Sequence, residues 1–281
     1  ARDARIEWTP GKLFSGELEI QAVQIRVVDM LRLPHTTYQS ENRPPPNIGL
    51  KLNEVIIEEL KIADNVLSPT ASSYRVNGGA ARGRDGAGFA KLSVAPLTGP
   101  ADRIDASAEW TADGKLDGAA TVVGPAGGIV AALLQAPENT PVAFAAKVDG
   151  TVTQFTGTAR LAFAEESVAL IDVSRAGDVA RLSASIAAER WPLLALVADR
   201  TGGGVSLEGE ANLADMARTP VSLRLTAPAG RVDARAVFDL DASRLVEGVE
   251  LDTTGLDLGF VASPVKGKVN NKKYTYRIIH A

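Results

Sequence analysis

Residues 231–241 read RVDARAVFDLD, and this stretch decides the fold. Apolar residues occupy every second position: Val232, Ala234, Ala236, Phe238 and Leu240. Charged residues occupy the positions between them, with Val237 as the one exception. Successive side chains of a β-strand point to opposite faces of its sheet. The stretch therefore predicts a strand with one apolar face and one solvated face.

The same alternation recurs along the chain, at residues 48–52, 104–110, 159–163, 205–213, 221–225 and 256–260. Turn signals separate these runs: Asp85-Gly86, Asp113-Gly114, Asp117-Gly118, Asp149-Gly150 and Gly202-Gly203-Gly204. Asp-Gly between alternating runs is typical of a β-hairpin. The fold class predicted from this pattern is all-β with few short helices, built as a long antiparallel meander.

Such a meander has an apolar face that must be covered. We expect about 14 to 18 strands, and twisted sheets rarely exceed about ten strands without curling or splitting. Aromatic residues make up only 5% of the chain, so the apolar face consists mostly of Ala, Val and Leu. These small residues favour a curled, taco-like trough with an apolar interior over a tightly packed sandwich. The residues predicted to line it for a lipid or client are Leu161, Phe163, Leu207, Leu223, Leu225, Val232, Ala234, Ala236, Phe238 and Leu240.

Two segments interrupt the strand pattern with helical spacing, residues 128–136 and 191–200. The longest uncharged stretch, residues 118–137, contains several Gly and Pro residues and is too weakly apolar to span a membrane. We expect one continuous β architecture over residues 1–264. Residues 265–281 carry a charge of +5 against −9 for the rest, and we expect this basic tail to be non-native or a truncated end. The chain is expected to be a fragment of a longer protein.

Composition excludes several chemistries. The chain has no cysteine, which excludes a thiol nucleophile, a disulfide and a zinc finger. Its only histidines, His35 and His280, lie far apart in sequence, which argues against a His-based metal site or a Ser-His-Asp hydrolase. The acidic body offers no footprint for nucleic acid. We therefore predict a protein that is not an enzyme, with no cofactor, no metal and no catalytic residue.

Three short motifs allow a functional interpretation, and a structural interpretation is favoured for each. The glycine-rich loop at residues 78–86 lacks the Gly-Lys-Ser/Thr step of a phosphate loop, which favours a hairpin turn. Asp239 and Asp241 share a strand face and are interpreted as solvated partners of nearby arginines. The apolar run from Trp191 to Val197 is interpreted as a short helix that pads the trough, with a membrane-dipping wedge as the alternative.

The N-terminal strands carry a family resemblance. Residues 6–34 read IEWTPGKLFSGELEIQAVQIRVVDMLRLP, followed by IGLKLNEVIIEELKIADNVL at 48–67 and later by GPAGGIVAALLQAP at 124–137. This succession resembles the TamB family, the translocation and assembly module proteins of Gram-negative envelopes, which share their strand grammar with AsmA-like proteins. The resemblance covers roughly residues 6–262, contains no catalytic motif, and includes neither an anchor helix nor the basic tail.

The resemblance implies a periplasmic protein anchored in the inner membrane by a segment absent from this chain. It also implies an outer-membrane barrel partner of the Omp85 type, and a role in outer-membrane protein assembly, autotransporter secretion or phospholipid transport between the two membranes. The expected ligands are phospholipid acyl chains or client β-strands. The alternative reading is a secreted β-solenoid or sandwich that acts as a carbohydrate-active enzyme or an adhesin passenger, although no fixed repeat supports a solenoid.

Overall fold

A computed structural model describes residues 1–33, 49–215, 218–239, 246–254 and 277–280. Contacts divide the chain into two compact units. Unit one comprises Ala1–Val152 with Leu161–Glu166, and unit two comprises Thr153–Arg160 with Ser167–Ala281. The expectation of one continuous architecture over residues 1–264 stays a prediction. The loop at 34–46, His35, the Asp239/Asp241 pair, Leu240 and most of the basic tail lie outside what the structure describes.

Most of the described residues are in strands. Unit one contains β1 Arg2–Trp8, β2 Glu17–Met30, β3 Gly49–Ile62, β4 Ser72–Arg82, β5 Gly88–Thr98, β6 Arg103–Trp110, β7 Lys115–Gly124 and β8 Val142–Thr151. The later strands are β9 Gln154–Phe163, β10 Glu166–Ala176, β11 Val179–Ile186, β12 Val205–Asn212, β13 Arg218–Ala227, β14 Gly230–Asp239, β15 Val246–Thr254 and β16 Arg277–His280. The end of β9 and the first residue of β10 belong to unit one.

Sheet order follows chain order, from β1 to β8 in unit one and from β9 to β16 afterwards. Neighbouring strands pair antiparallel in unit one except for β2 and β3. They also pair antiparallel from β10 to β15. The predicted fold class, an all-β meander with few short helices, is confirmed.

Two pairs depart from the antiparallel prediction. Strands β2 and β3 are parallel, with Ile25 beside Ile57, and β15 and β16 are parallel as well. A parallel pair needs a crossover connection of a dozen or more residues. Residues 31–48 provide that length between β2 and β3, whereas a tight turn could not.

Two of the predicted turns are also wrong. Asp117-Gly118 lies inside β7 and Asp149-Gly150 lies inside β8. The two aspartates face each other across this strand pair. A Cβ on Gly118 would lie 3.0 Å from Cγ1 of Val148. Gly118 therefore reflects a close cross-strand approach rather than a chain reversal.

The helical predictions are confirmed in place, with shorter bounds. Helix α1 comprises Ile129–Leu133 in the β7–β8 connection, and helix α2 comprises Ala195–Thr201 in the β11–β12 connection. Two 3₁₀ turns, Ala188–Arg190 and Pro192–Leu194, precede α2. A third 3₁₀ turn, Pro10–Ser15, joins β1 to β2. Both helices are inserted between antiparallel neighbours that a two-residue turn could have joined.

Candidate functional site: the apolar sheet faces

The register of unit one aligns its apolar residues in rows that cross the strands. Each row below joins residues that lie directly opposite each other on neighbouring strands, from β2 to β8. Row one is Ile20, Leu52, Ala80, Ala90, Ala108, Gly118 and Val148. Row two is Val23, Val55, Gly78, Leu92, Ala106, Ala120 and Ala146. Row three is Ile25, Ile57, Val76, Val94, Ile104, Val122 and Phe144.

Side-chain size changes along the strands. Rows one and two are mostly Gly and Ala from β4 onward, whereas row three is entirely Val, Ile or Phe beyond β2. None of the side chains in rows two and three is buried, and Leu92 is 42% exposed. The mid-strand apolar face of unit one is therefore only partly covered by the described residues.

One end of this face is closed by α1. Ile62, Tyr74 and Ile129 form a buried cluster, against which Met30, Leu60, Val66, Leu67 and Val94 pack. This cluster lies beyond row three, at the ends of β2 and β3 and the start of β4. The apolar burial of unit one at this end thus involves α1 and the loop after β3, with no second sheet among the described residues.

A buried carboxylate fixes α1 in this position. Asp102 is 4% exposed, and its carboxylate accepts hydrogen bonds from the Tyr74 hydroxyl (2.8 Å) and from the backbone N–H groups of Ile129 (3.0 Å) and Val130 (3.1 Å). It thereby satisfies N–H groups at the start of the helix that have no partner within the helix. A Cβ on Gly128 would lie 2.5 Å from Asp102 Oδ1, so the carboxylate reaches the helix only because residue 128 is glycine.

Burial raises the pKa of Tyr74 to about 12, and the neighbouring Asp102 contributes to the same shift. The phenol therefore stays protonated and remains a hydrogen-bond donor over the whole physiological range. The pair is an anchor for the closed end of the face. Its donor and its acceptor bind to each other and to the start of α1.

The predicted lining residues of unit two share a face. Leu207, Leu225 and Val232 stand directly opposite one another, and so do Leu223 and Ala234. Leu207, Leu225, Val232, Ala234 and Ala236 are part-buried, while Leu223 and Phe238 are 39% and 37% exposed. The sequence pattern thus correctly predicted that these residues share one surface. Their role as ligand contacts stays a prediction.

Leu161 and Phe163 differ from the rest of the predicted lining. They are 8% and 5% exposed and lie in unit one, whereas the residues from Leu207 onward lie in unit two. Side chains this deeply buried pack against protein and present little surface to a ligand. Their alternation in sequence gave the strand correctly but could not distinguish a covered position from an open one.

Sequence reasoning missed a polar concavity in unit two. A cavity of about 1000 Å³ has lining residues on strands β9 to β15. Each of the seven strands contributes two polar residues that flank one other residue: Thr156 and Thr158, Asp172 and Ser174, Arg181 and Ser183, Glu208 and Glu210, Ser222 and Arg224, Asp233 and Arg235, Glu250 and Asp252. Residues i and i+2 of a strand share a face, so these side chains form two polar rows. Of the predicted apolar lining, only Leu223 and Ala234 border this cavity.

Ion pairs join facing residues of neighbouring strands within these polar rows. Arg181 contacts Glu210 at 3.0 Å, and Arg224 contacts Asp233 at 2.7 Å. Arg231 adds a second contact to Asp233 at 2.8 Å. The hydrogen bond from Arg224 holds the pKa of the Asp233 carboxyl below its ordinary value. Each cross-strand pair joins opposite charges on neighbouring strands, whereas the cavity lining as a whole has six acids against three arginines.

The structure also shows where the glycine-rich loop and the apolar run before α2 lie. Residues 78–82 of the glycine-rich loop belong to β4, and residues 83–87 form the hairpin turn to β5. The apolar run before and within α2 is strongly exposed, with Leu193 at 50% and Leu196 at 78%. Within the described residues, no helix is long and apolar enough to cross a bilayer, and no group of three acidic or histidine side chains is arranged to hold a metal ion.

Fold and surface together define an open, mostly antiparallel β-sheet protein with a partly exposed apolar face. Comparison of the chain with protein-family models, curated proteins and solved structures finds no match.

Proposed function

We propose that this chain is part of a non-enzymatic, TamB-like envelope protein whose apolar sheet face holds the acyl chains of phospholipids. The observation that carries the proposal is the set of small apolar residues in rows one and two, aligned across the five strands from β4 to β8 and left partly exposed. Covering such a face with a hydrocarbon chain stabilises the complex by about 0.8 kcal/mol for each buried CH₂ group.

Following the TamB resemblance, the proposal puts this activity in the periplasm, between the inner membrane and an Omp85-type outer-membrane barrel. A face that shields acyl chains from water would let phospholipid move between the two membranes. The large open surface also agrees with the absence of cysteine and the separation of the two histidines, which leave a surface rather than a reactive site as the working element.

A client β-strand is the second candidate ligand, because β1 could offer it an edge of the sheet. Among the described strands β1 pairs only with β2, so it stands at the end of the sheet order. An edge strand presents unpaired N–H and C=O groups that can bind another strand. However, β1 carries Arg2, Asp3, Arg5 and Glu7, and charged side chains of this kind oppose edge pairing. Acyl chains are therefore the preferred ligand.

Native mass spectrometry of the purified chain tests the proposal directly, by detecting co-purified phospholipid. Leu223→Glu and Leu92→Glu should lower phospholipid occupancy, because each puts a charge on the partly exposed apolar face. Thr226→Glu and Ser107→Glu are the controls, since each adds the same charge at an exposed position of the opposite face, where the facing residues are Arg231 and Lys91. The proposal fails if the wild-type chain carries no phospholipid, or if folded face variants and controls retain equal occupancy.

A further inference from the structure

The two ends of the apolar face in unit one differ, and the end opposite α1 carries an exposed apolar tip. We define the tip as residues 9–16, TPGKLFSG, which join β1 to β2. Phe14 is 97% exposed and Leu13 is 46% exposed, and Trp8, the last residue of β1, is 49% exposed. A phenylalanine with this exposure makes almost no contact within the chain, so packing does not account for its presence.

Backbone and side-chain contacts hold the tip in a defined place. The N–H of Thr9 donates to the carbonyl of Glu19, and the N–H of Gly49 donates to the carbonyl of Gly16 (2.9 Å). Arg84, in the β4–β5 turn, donates to the carbonyl of Ser15 at 3.3 Å. The tip therefore stands at the ends of β1 to β4, and Phe14 projects from a fixed base.

The apolar rows lead to this tip. Trp8 stands opposite Ile20, the first residue of row one, and Ile6 stands opposite Val23, the first residue of row two. The opposite end of the strands is closed by Ile62, Tyr74 and Ile129. The partly exposed small-residue rows are thus continuous with the exposed aromatic end and blocked at the helical end.

The charged residues at and beside the tip indicate the kind of surface that it binds. Lys12 is the only ionisable residue of residues 9–16, and Arg84 adds a second cation beside Ser15. The acids beside the tip are Glu17, which pairs with Lys51 at 3.8 Å, and Asp85, whose carboxylate accepts the N–H of Ala87 in its own turn. Exposed Trp, Phe and Leu side chains accompanied by Lys and Arg are the composition of segments that insert into the interface of anionic membranes.

From these observations we infer that the tip docks on an anionic phospholipid bilayer, with Phe14 and Leu13 inserted and Lys12 beside the headgroups. Docking there brings the bilayer against the open end of rows one and two, where an acyl chain would enter. The inference rests on the proposed function for what happens after docking, but the docking itself is a separate property of the tip.

Flotation of the purified chain with phosphatidylcholine vesicles, with and without phosphatidylglycerol, tests docking. The wild-type chain should float with the vesicles that contain phosphatidylglycerol. Phe14→Ser should weaken this binding by about tenfold or more, the factor expected when burial of one large apolar side chain is lost. Lys12→Glu should weaken binding only where phosphatidylglycerol is present. Because Phe14 is almost fully exposed, its replacement should leave the unfolding transition unchanged.

Leu133→Ser is the matched control, since Leu133 is 61% exposed but lies in α1 at the closed end. It should float like the wild-type chain. The inference is overturned if wild-type protein does not float, if Phe14→Ser floats equally well, or if Leu133→Ser loses as much binding. Native mass spectrometry of the same samples separates the two proposals. Phe14-dependent flotation without bound phospholipid would refute the proposed function alone. Bound phospholipid without flotation would refute the docking alone.

Discussion

The Tyr74 hydroxyl donates a hydrogen bond of 2.8 Å to Asp102, and the same carboxylate accepts the first N–H groups of α1. One side chain from a loop thus ties a strand to a helix that lies much later in the chain. Without this carboxylate, two N–H groups at the start of α1 would lose their acceptor, and the Tyr74 hydroxyl would keep only its 3.4 Å hydrogen bond to the carbonyl of Pro100.

Asp102→Ala should therefore lower the free energy of unfolding by about 3 kcal/mol, because each buried donor without a partner costs about 1–3 kcal/mol. Urea unfolding measures this change. Asp105→Ala is the control, since the carboxylate of Asp105 accepts only an exposed hydrogen bond from Ser93, and it should stay within about 0.5 kcal/mol of wild type. Equal effects of the two substitutions would contradict the anchoring role of Asp102.

Stability should fall at alkaline pH because of Tyr74. Its pKa is about 12 in the folded chain against 10.0 for an ordinary tyrosine. The unfolded chain therefore loses this proton first. The contribution is fully present below about pH 10 and is lost as the pH rises through about 12, amounting to about 2 kcal/mol. Urea unfolding of wild type and Tyr74→Phe over this range measures it, and parallel pH profiles would refute the assignment.

Gly88→Ala should destabilise unit one by about 2–3 kcal/mol. A Cβ at this position would overlap the carbonyl oxygen of Ala81 and approach the indole of Trp110 to 2.5 Å. Gly11→Ala is the control because a Cβ there meets nothing within 4 Å. Thermal unfolding followed by circular dichroism compares the two variants, and a neutral Gly88→Ala would show that the β4–β5–β6 approach is looser than described.

Phe163 and Phe238, both predicted to line the same surface, should respond differently to truncation. Phe163 is 5% exposed, so Phe163→Ala should cost about 3–5 kcal/mol. Phe238 is 37% exposed, so Phe238→Ala should cost about 1 kcal/mol. Urea unfolding of both variants measures the difference. A larger loss at Phe238 would reverse the distinction between a packed position and an open one.

The carboxyl of Asp233 should titrate below its ordinary pKa because of Arg224. Carboxyl NMR titration should show this pKa rising toward its ordinary value in Arg224→Gln, with a smaller rise in Arg231→Gln. The stabilisation from the pair is present above the ordinary pKa of aspartate and is lost as the pH falls through the folded value. The Arg224 side chain is 52% exposed, so the effect on stability should be small. An unchanged Asp233 pKa in Arg224→Gln would refute the pairing.

The alternation of apolar and polar residues predicted the strands and their shared apolar face, because period two is a local property of an extended chain. Leu223 and Ala234 stand opposite each other across β13 and β14, as expected for neighbouring runs of the same phase. The helical spacing at residues 128–136 and 191–200 likewise marked both insertions.

Asp117-Gly118 shows where local reasoning fails. The dipeptide is typical of a hairpin turn, yet Gly118 lies inside β7 opposite Val148. A glycine required by a close approach and a glycine required by a turn look alike in sequence. The parallel pairing of β2 with β3 was missed for a related reason, since the direction of a strand depends on the path of its connection.

The sequence by itself determined that this chain is a β-sheet protein with an apolar and a solvated face, because each strand encodes its own alternation. Only the tertiary structure decided which apolar residues are covered and which are open. Leu161 is buried and Leu223 is exposed, although both have the same place in the same pattern. Burial depends on what packs above a residue, and for Ile62 and Tyr74 that is a distant insertion, α1, held in place by Asp102.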